Sequence, residues 1–463
     1  LWTMIENRRT TVNGRIIVGG KGRKHPKEAD VFLHIAMKVA KNCRYVEPQF
    51  TLRFDKDTSE EIWDEALDAL GAGATYPTLY NDDVNVPAVM YGMRVDEKAA
   101  EQYVPFGCTE FVIQGQSTGT PNICINLLKL LTIYMNDGID PIDGKRKSGP
   151  VPLKKLEEYQ TFEEFYDGYK ALLDYYLDLS VKAQYHSYEV MNQHVSFLFT
   201  SLLTDDCIAR GKALLDGGVR YLGGTNETYG NINTSDSLWV IRDLVFNQKK
   251  YTLRQLNDAM LANFNGYEAL RKDCLNCDKY GNDLETADTM ANDLYEFVAK
   301  GVRNRGIAIG MQYFLIVISN NQLNTEWGNR TAASPDGRLS CMYMNPANNP
   351  QGGANKSGPT AMLNSLAKFD AKYHGGSVQN IKFSPSMFNE NRAVIKSLFK
   401  TYFAKGGCHL MVTVVDKGVL EDAVEHPENY PDLIVRVSGF SAVFVDLSPN
   451  IQQELLSRVL YDK

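Results

Sequence analysis

The chain has 463 residues, 44% hydrophobic and 23% charged, the balance of a soluble globular protein long enough for one large core or two domains. A net charge of −7 with no long basic run argues against nucleic acid or an anionic membrane as partner. The longest apolar stretch, Gly306–Ile318, contains Gln312 and is too short to span a bilayer, and no signal-peptide pattern stands at Leu1.

In chain order, Ile16–Gly20 reads as a short strand into a turn, and His25–Val39 as a helix with Val31, Phe32, Ile35 and Val39 at helical spacing. Gln49–Phe54 alternates like a strand, and Thr58–Leu70 is a helix broken at Gly71 and Gly73. Pro77–Asp83 leads into a helical stretch. Tyr103–Glu110 is a loop by its Pro105 and Gly107, as is Gly115–Pro121, and Asn126–Asn136 resumes helix.

Thr161-Phe162-Glu163-Glu164 is a capping box opening a long helix with Phe162, Phe165, Tyr169, Leu172, Leu173 and Tyr176 on one face. Further helices are expected over Asp205–Leu215, Asp236–Phe246, from Thr252, and over Thr286–Val302. Gly306–Ile318 reads as a buried strand. Ser334–Arg338 is a turn, and Asn345–Gly358, rich in Asn, Gly and Pro, is a long loop. Asn389–Lys405 is a helix, Leu410–Val415 a strand, Val419–Val424 a short helix and Asn450–Val459 a closing helix. Strands and helices alternate throughout, which is the pattern of an α/β fold.

The eight cysteines are scattered rather than spaced as a disulfide framework, which suits a reducing cytosol. Cys274-x-x-Cys277 lacks the second ligand pair of a zinc site.

The most informative stretch is Arg436-Val437-Ser438-Gly439-Phe440-Ser441-Ala442-Val443-Phe444-Val445-Asp446-Leu447. Read alone, it is a strand, a tight turn at Gly439 and a second strand. As a whole it resembles the signature of glycyl radical enzymes, with Phe440 where many members carry Tyr. A second stretch, Gly107-Cys108-Thr109-Glu110, resembles the family's Cys loop, Gly-Cys-x-Glu. Gly217-Gly218, Gly230-Asn231, Asp236-Ser237-Leu238, Ser334–Arg338, Ser357–Thr360 and Asn380 resemble family landmarks in family order, so the likeness runs along nearly the whole chain.

The resemblance implies a ten-stranded α/β barrel with two loops meeting inside it. This chain would supply only part of that barrel, because the match begins in mid-enzyme and about half of a typical member lies upstream. Residues 1–340 are expected to form the barrel domain and 341–463 the glycine radical domain. Gly439 would store an unpaired electron on its Cα, which a side chain would force into clashes. Cys108 would relay it as a thiyl radical, and Glu110 would act as general base or acid. In an extended loop, Glu110 would project on the same side as Cys108. No bound cofactor is implied. The radical would be installed by a partner, a radical S-adenosylmethionine enzyme with an iron–sulfur cluster, and members are commonly homodimers.

Gly107 and Thr109 flank Cys108, so the adjacent cysteines of pyruvate formate-lyase are absent, and Cys341 and Cys408 do not make the four-cysteine zinc site of anaerobic ribonucleotide reductases. The Gly-Cys-x-Glu loop leaves the eliminating enzymes: dehydratases and C–N or C–S lyases acting on small polar substrates in anaerobic metabolism. Arylacetate decarboxylases are the alternative, with Glu227 as the acid to suspect, although a loop acid is its ordinary reading. An inert fragment or paralogue is a second alternative. His34, Arg53, His409 and Asn231 are polar residues to which no role is assigned.

Overall fold

A computed structural model of the chain describes residues 15–43, 46–119, 122–319 and 322–462. Thr120 and Pro121, part of the expected Gly115–Pro121 loop, lie outside the described residues. The chain divides by contact into two compact units, residues 1–114 with 358–463, and residues 115–357.

The first unit is built on a six-stranded sheet in the order Arg15–Gly19, Gln49–Phe54, Thr78–Asn81, His409–Val414, Asn380–Phe383 and Leu460–Tyr461. Neighbours are parallel except at one seam, where Thr78–Asn81 runs antiparallel to His409–Val414. Gln49–Phe54 is buried at every position, because a parallel strand is covered on both faces. The helix Glu60–Gly71 begins where Ser59 Oγ accepts from Ile62 N at 3.3 Å, and it buries Ile62, Trp63, Ala66, Leu67 and Leu70. Phe54 meets Trp63 and Phe403 edge-on, each at 4.7 Å between ring centroids. Such pairs add about 0.5–1.5 kcal/mol each beyond the area they bury.

The second unit holds three parallel strands, Ile123–Asn126, Gly223–Tyr229 and Tyr313–Ile318. Two long helices, Phe162–His194 and Glu285–Ala308, pack in the same unit. Thr161 Oγ1 accepts from Glu164 N at 3.2 Å, while the Glu164 carboxylate reaches back to Gln160 N rather than to the capping residue itself. Phe162, Phe165, Tyr169, Leu172 and Leu173 are buried as the spacing requires. The Ser334–Arg338 turn closes through Ser334 N to Arg338 O at 3.0 Å.

The expected helix forms over Pro26–Asn42 and buries Leu33, Ala36, Met37 and Ala40. Val31, Phe32 and Ile35 are exposed on its other side. The helix carries two apolar stripes, and the one with the smaller residues is packed. Asp205–Leu215 is not one helix; a single turn at Cys207–Arg210 ends at Gly211, whose φ of +61° leaves the helical region. The apolar run from Gly306 is divided between the end of a helix at Ala308 and the strand Tyr313–Ile318. Tyr103–Glu110 is a β-hairpin rather than an open loop. Among the described residues, no helix is long and apolar enough to cross a membrane.

Candidate active site

The Cys hairpin is set up by its first strand. Tyr103–Phe106 pairs antiparallel with Glu110–Ile113, Phe106 standing opposite Glu110, so Gly107-Cys108-Thr109 is the connecting turn. Tyr103 anchors it from below. Its hydroxyl donates to Asp82 Oδ1 at 2.7 Å, and its carbonyl accepts from Arg53 Nη1 at 3.0 Å. Arg53 in turn grips both oxygens of Asp82, at 2.9 and 2.8 Å, in a buried two-pronged pair. Such a pair tolerates burial because its hydrogen bonds are satisfied on both sides. Arg53 is therefore a brace for the hairpin.

The turn itself is strained. Gly107 has φ +51°, and a side chain there would meet Glu110 Oε2 at 2.9 Å, so the carboxylate lies back over the turn. Thr109 has φ +82°, an outlier for a β-branched residue. Cys108 and Glu110 are both buried, at 8% and 6% exposure. Cys108 lies in the turn and Glu110 opens the second strand, so a hairpin turn stands where the sequence suggested an extended loop.

Gly439 sits in a second hairpin, between the strands Ile434–Arg436 and Ser441–Val443. Val437 N and Ser438 N both donate to Phe440 O, at 3.1 and 3.2 Å, and tighten the turn. Val435, Val437 and Phe444 pack with Val415, Leu420, Ala423, Ile451 and Leu455 into one apolar cluster that holds the hairpin. The carbonyls of the turn face guanidinium groups. Arg458 Nη1 and Nη2 reach Arg436 O at 3.4 Å and Val437 O at 2.6 Å. Arg436 Nε donates to Ser438 O at 2.5 Å, and Arg15 Nη2 to Gly439 O at 2.7 Å.

The two hairpins touch at their tips. A Cβ on Gly439 would lie 2.3 Å from Gly107 O, 2.4 Å from Cys108 Cα and 2.6 Å from Cys108 N. Those are impossible contacts for any residue with a side chain, so the position is restricted to glycine by the neighbouring backbone. Gly439 and Cys108, 331 positions apart in the numbering (439 − 108), are thus in direct backbone contact in a buried place. Hydrogen transfer between a glycyl Cα and a thiol needs that proximity and exclusion of water.

The surroundings are cationic. Burial, then the charge of Arg15, pushes the Arg436 guanidinium down to about 9. Burial and the charges of Arg436 and Arg15 keep His409 neutral, well below its ordinary range, and its ring lies 4.6 Å from that of Tyr80. Burial pushes the Tyr80 hydroxyl up, so it stays protonated.

Both family models that match the chain coincide with these parts: pyruvate formate lyase-like over residues 6–323 and glycine radical over residues 344–445. The chain belongs to the pyruvate formate lyase-like family. Among similar proteins, trans-4-hydroxy-L-proline dehydratase of Clostridioides difficile is 30% identical over 92% of this chain and 54% of its own. The 4-hydroxyphenylacetate decarboxylase glycyl radical subunit of Clostridioides difficile strain CD196 is 26% identical over 96% and 54%. The glycerol-bound B12-independent glycerol dehydratase from Clostridium butyricum superposes with a TM-score of 0.88 at 28% identity, over 97% of this chain and 57% of that one. The fold is thus the α/β barrel type of glycyl radical enzymes. The chain spans about half the length of the curated relatives it matches.

Of the other residues singled out in the sequence, Glu227 is not a loop acid. It lies on the strand Gly223–Tyr229 in the second unit, 5% exposed, and accepts from Asn122 Nδ2 at 2.7 Å, Tyr229 Oη at 2.5 Å and Ser319 Oγ at 2.9 Å. His34 pairs with Glu65 at 2.7 Å, and Asn231 Nδ2 donates to Thr228 Oγ1 at 3.0 Å. Burial pushes the thiols of Cys274 and Cys277 up to about 12 and about 11, so both stay protonated. Neither Arg15 nor Gln49 stands in a motif, so no local sequence signal marks them.

Proposed function

We propose that this chain carries the radical centre of an eliminating glycyl radical enzyme, a dehydratase or C–N or C–S lyase acting on a small polar substrate. The observation that supports this most is the contact between Gly439 and the backbone of Cys108, at a position closed to any side chain.

In this reading the Gly439 radical takes the hydrogen of the Cys108 thiol, leaving a thiyl radical and an intact glycine. The thiyl takes a hydrogen atom from a substrate carbon bearing a hydroxyl or amine. Glu110 accepts the hydroxyl proton, and the resulting ketyl-like radical expels the group on the neighbouring carbon. The product radical recovers hydrogen from Cys108, and the thiyl recovers hydrogen from Gly439. The burial of Cys108 and Glu110 supports a site that shields these radicals from water and oxygen.

Residues 341–463 serve as the glycine radical domain and 1–340 as the barrel domain. A radical S-adenosylmethionine enzyme installs the radical, and the protein works in an anaerobic cytoplasm. Decarboxylation of an arylacetate-type acid is the second reading, supported by the likeness to the decarboxylase subunit and by the burial of Glu227.

The test uses the protein as its source makes it, activated anaerobically and incubated with hydroxyproline, propane-1,2-diol, glycerol and 4-hydroxyphenylacetate. A dehydrated product supports the first reading, and carbon dioxide from the arylacetate supports the second.

A further inference from the structure

The Arg15 guanidinium joins the two hairpins. Its Nη2 lies 2.7 Å from Gly439 O and 3.0 Å from Gly107 O, and 3.1 Å from Gln49 Oε1. One charged nitrogen therefore donates to the carbonyl adjoining the Gly439 Cα and to the carbonyl that precedes Cys108. Arg15 comes from the first strand of the sheet, whose register with Gln49–Phe54 places it directly opposite Gln49. That pairing fixes the side chain from a rigid element.

We propose that Arg15 tunes the hydrogen exchange between Cys108 and Gly439, in addition to holding the two tips together. The inference rests on the glycyl radical reading given above. The electron at the Gly439 Cα would be shared with the adjoining carbonyl, whose oxygen then gains negative character that the closed-shell glycine lacks. A guanidinium donor on that oxygen is stronger in the radical than in the glycine. Only such a differential interaction shifts the exchange equilibrium.

The transfer is balanced: the Cys108 S–H bond breaks, the Gly439 Cα–H bond forms, and the unpaired electron passes to sulfur. By favouring the radical form of Gly439, Arg15 sets how much thiyl is released without substrate. Its second bond, to Gly107 O, holds the peptide before Cys108 in register with the Gly439 tip.

The experiment compares wild-type protein with Arg15→Lys and Arg15→Gln, activated anaerobically in the intact protein. Electron paramagnetic resonance reads the g-anisotropy and the Cα–H splitting. In D2O, each return of hydrogen from the solvent-exchanged Cys108 thiol places deuterium on Gly439, so the rate at which the doublet collapses reads the exchange. Circular dichroism confirms that each variant is folded.

The expected result is a shifted splitting and about a tenfold change in collapse rate in Arg15→Gln, the effect of losing one charge-assisted hydrogen bond. Arg15→Lys, which keeps the charge with a different donor geometry, gives an intermediate shift and decides the matter where Arg15→Gln does not fold. A wild-type doublet with unchanged splitting and rate in the folded variants overturns the role of Arg15 alone. A wild type that shows no doublet after activation by an activase proven on another member overturns the radical reading and this inference with it.

Discussion

Arg15 and Arg436 share one acceptor: Gln49 Oε1 takes Arg15 Nη2 at 3.1 Å and Arg436 Nη1 at 2.7 Å. Two like charges beside the Gly439 tip thus share one neutral amide, in addition to their own bonds to the carbonyls of Gly107, Gly439 and Ser438. Replacing Gln49 by Leu leaves both guanidinium groups without it, and the expected loss is about 2–4 kcal/mol of stability, measured by denaturant unfolding. Gln49→Glu, which supplies a compensating charge, is expected to keep the fold.

Gly439→Ala drives a methyl into Gly107 O and Cys108 Cα. The tips must separate, at a cost of about 1–3 kcal/mol from overpacking. Unfolding curves check the stability, and turnover is expected to be abolished.

Cys108→Ser and Glu110→Gln separate the steps. Cys108→Ser is expected to retain the radical but lose all turnover, and its doublet should persist unchanged in D2O. Glu110→Gln is expected to keep doublet collapse in D2O while turnover falls by about 10²–10⁴, the range for loss of a general base. Parallel resonance and product assays check both.

Thr109→Gly removes a β-branched residue from φ +82°. Relief of that strain is expected to stabilise the protein by about 1 kcal/mol, less the entropy glycine loses on folding. Thermal unfolding checks the sign.

The second unit offers a separate pH test. Burial raises the Asp236 carboxyl from its ordinary 3.8 to about 7, while Oδ1 accepts from Tyr280 N at 2.9 Å. The folded state therefore binds the extra proton between these values. The stability this confers is full below pH 3.8 and is lost as pH rises through about 7. Asp236→Asn, always neutral, should gain on wild type by about 2–4 kcal/mol between pH 4 and pH 8, read from unfolding at each pH.

The meeting of Gly439 with the Cys108 turn, on which the proposed radical site rests, was foreshadowed in the sequence by two short motifs, each a run of fixed neighbours. Arg15 was not, since it lies 424 positions from Gly439 and only sheet register brings it there. The helix Pro26–Asn42 was legible but its packed face was not, because periodicity identifies a helix without saying which of two apolar faces is covered, and Val31, Phe32 and Ile35 stand exposed. The Cys hairpin was hidden because Pro105 and Gly107, ordinary loop signals, occupy a strand and its turn.

The most direct measurement is the resonance spectrum of the activated protein grown on glycine deuterated at Cα. The account predicts a doublet in unlabelled protein, a collapsed singlet in the labelled protein and no signal in Gly439→Ala. A signal that persists in Gly439→Ala, or a doublet unaffected by the label, contradicts it.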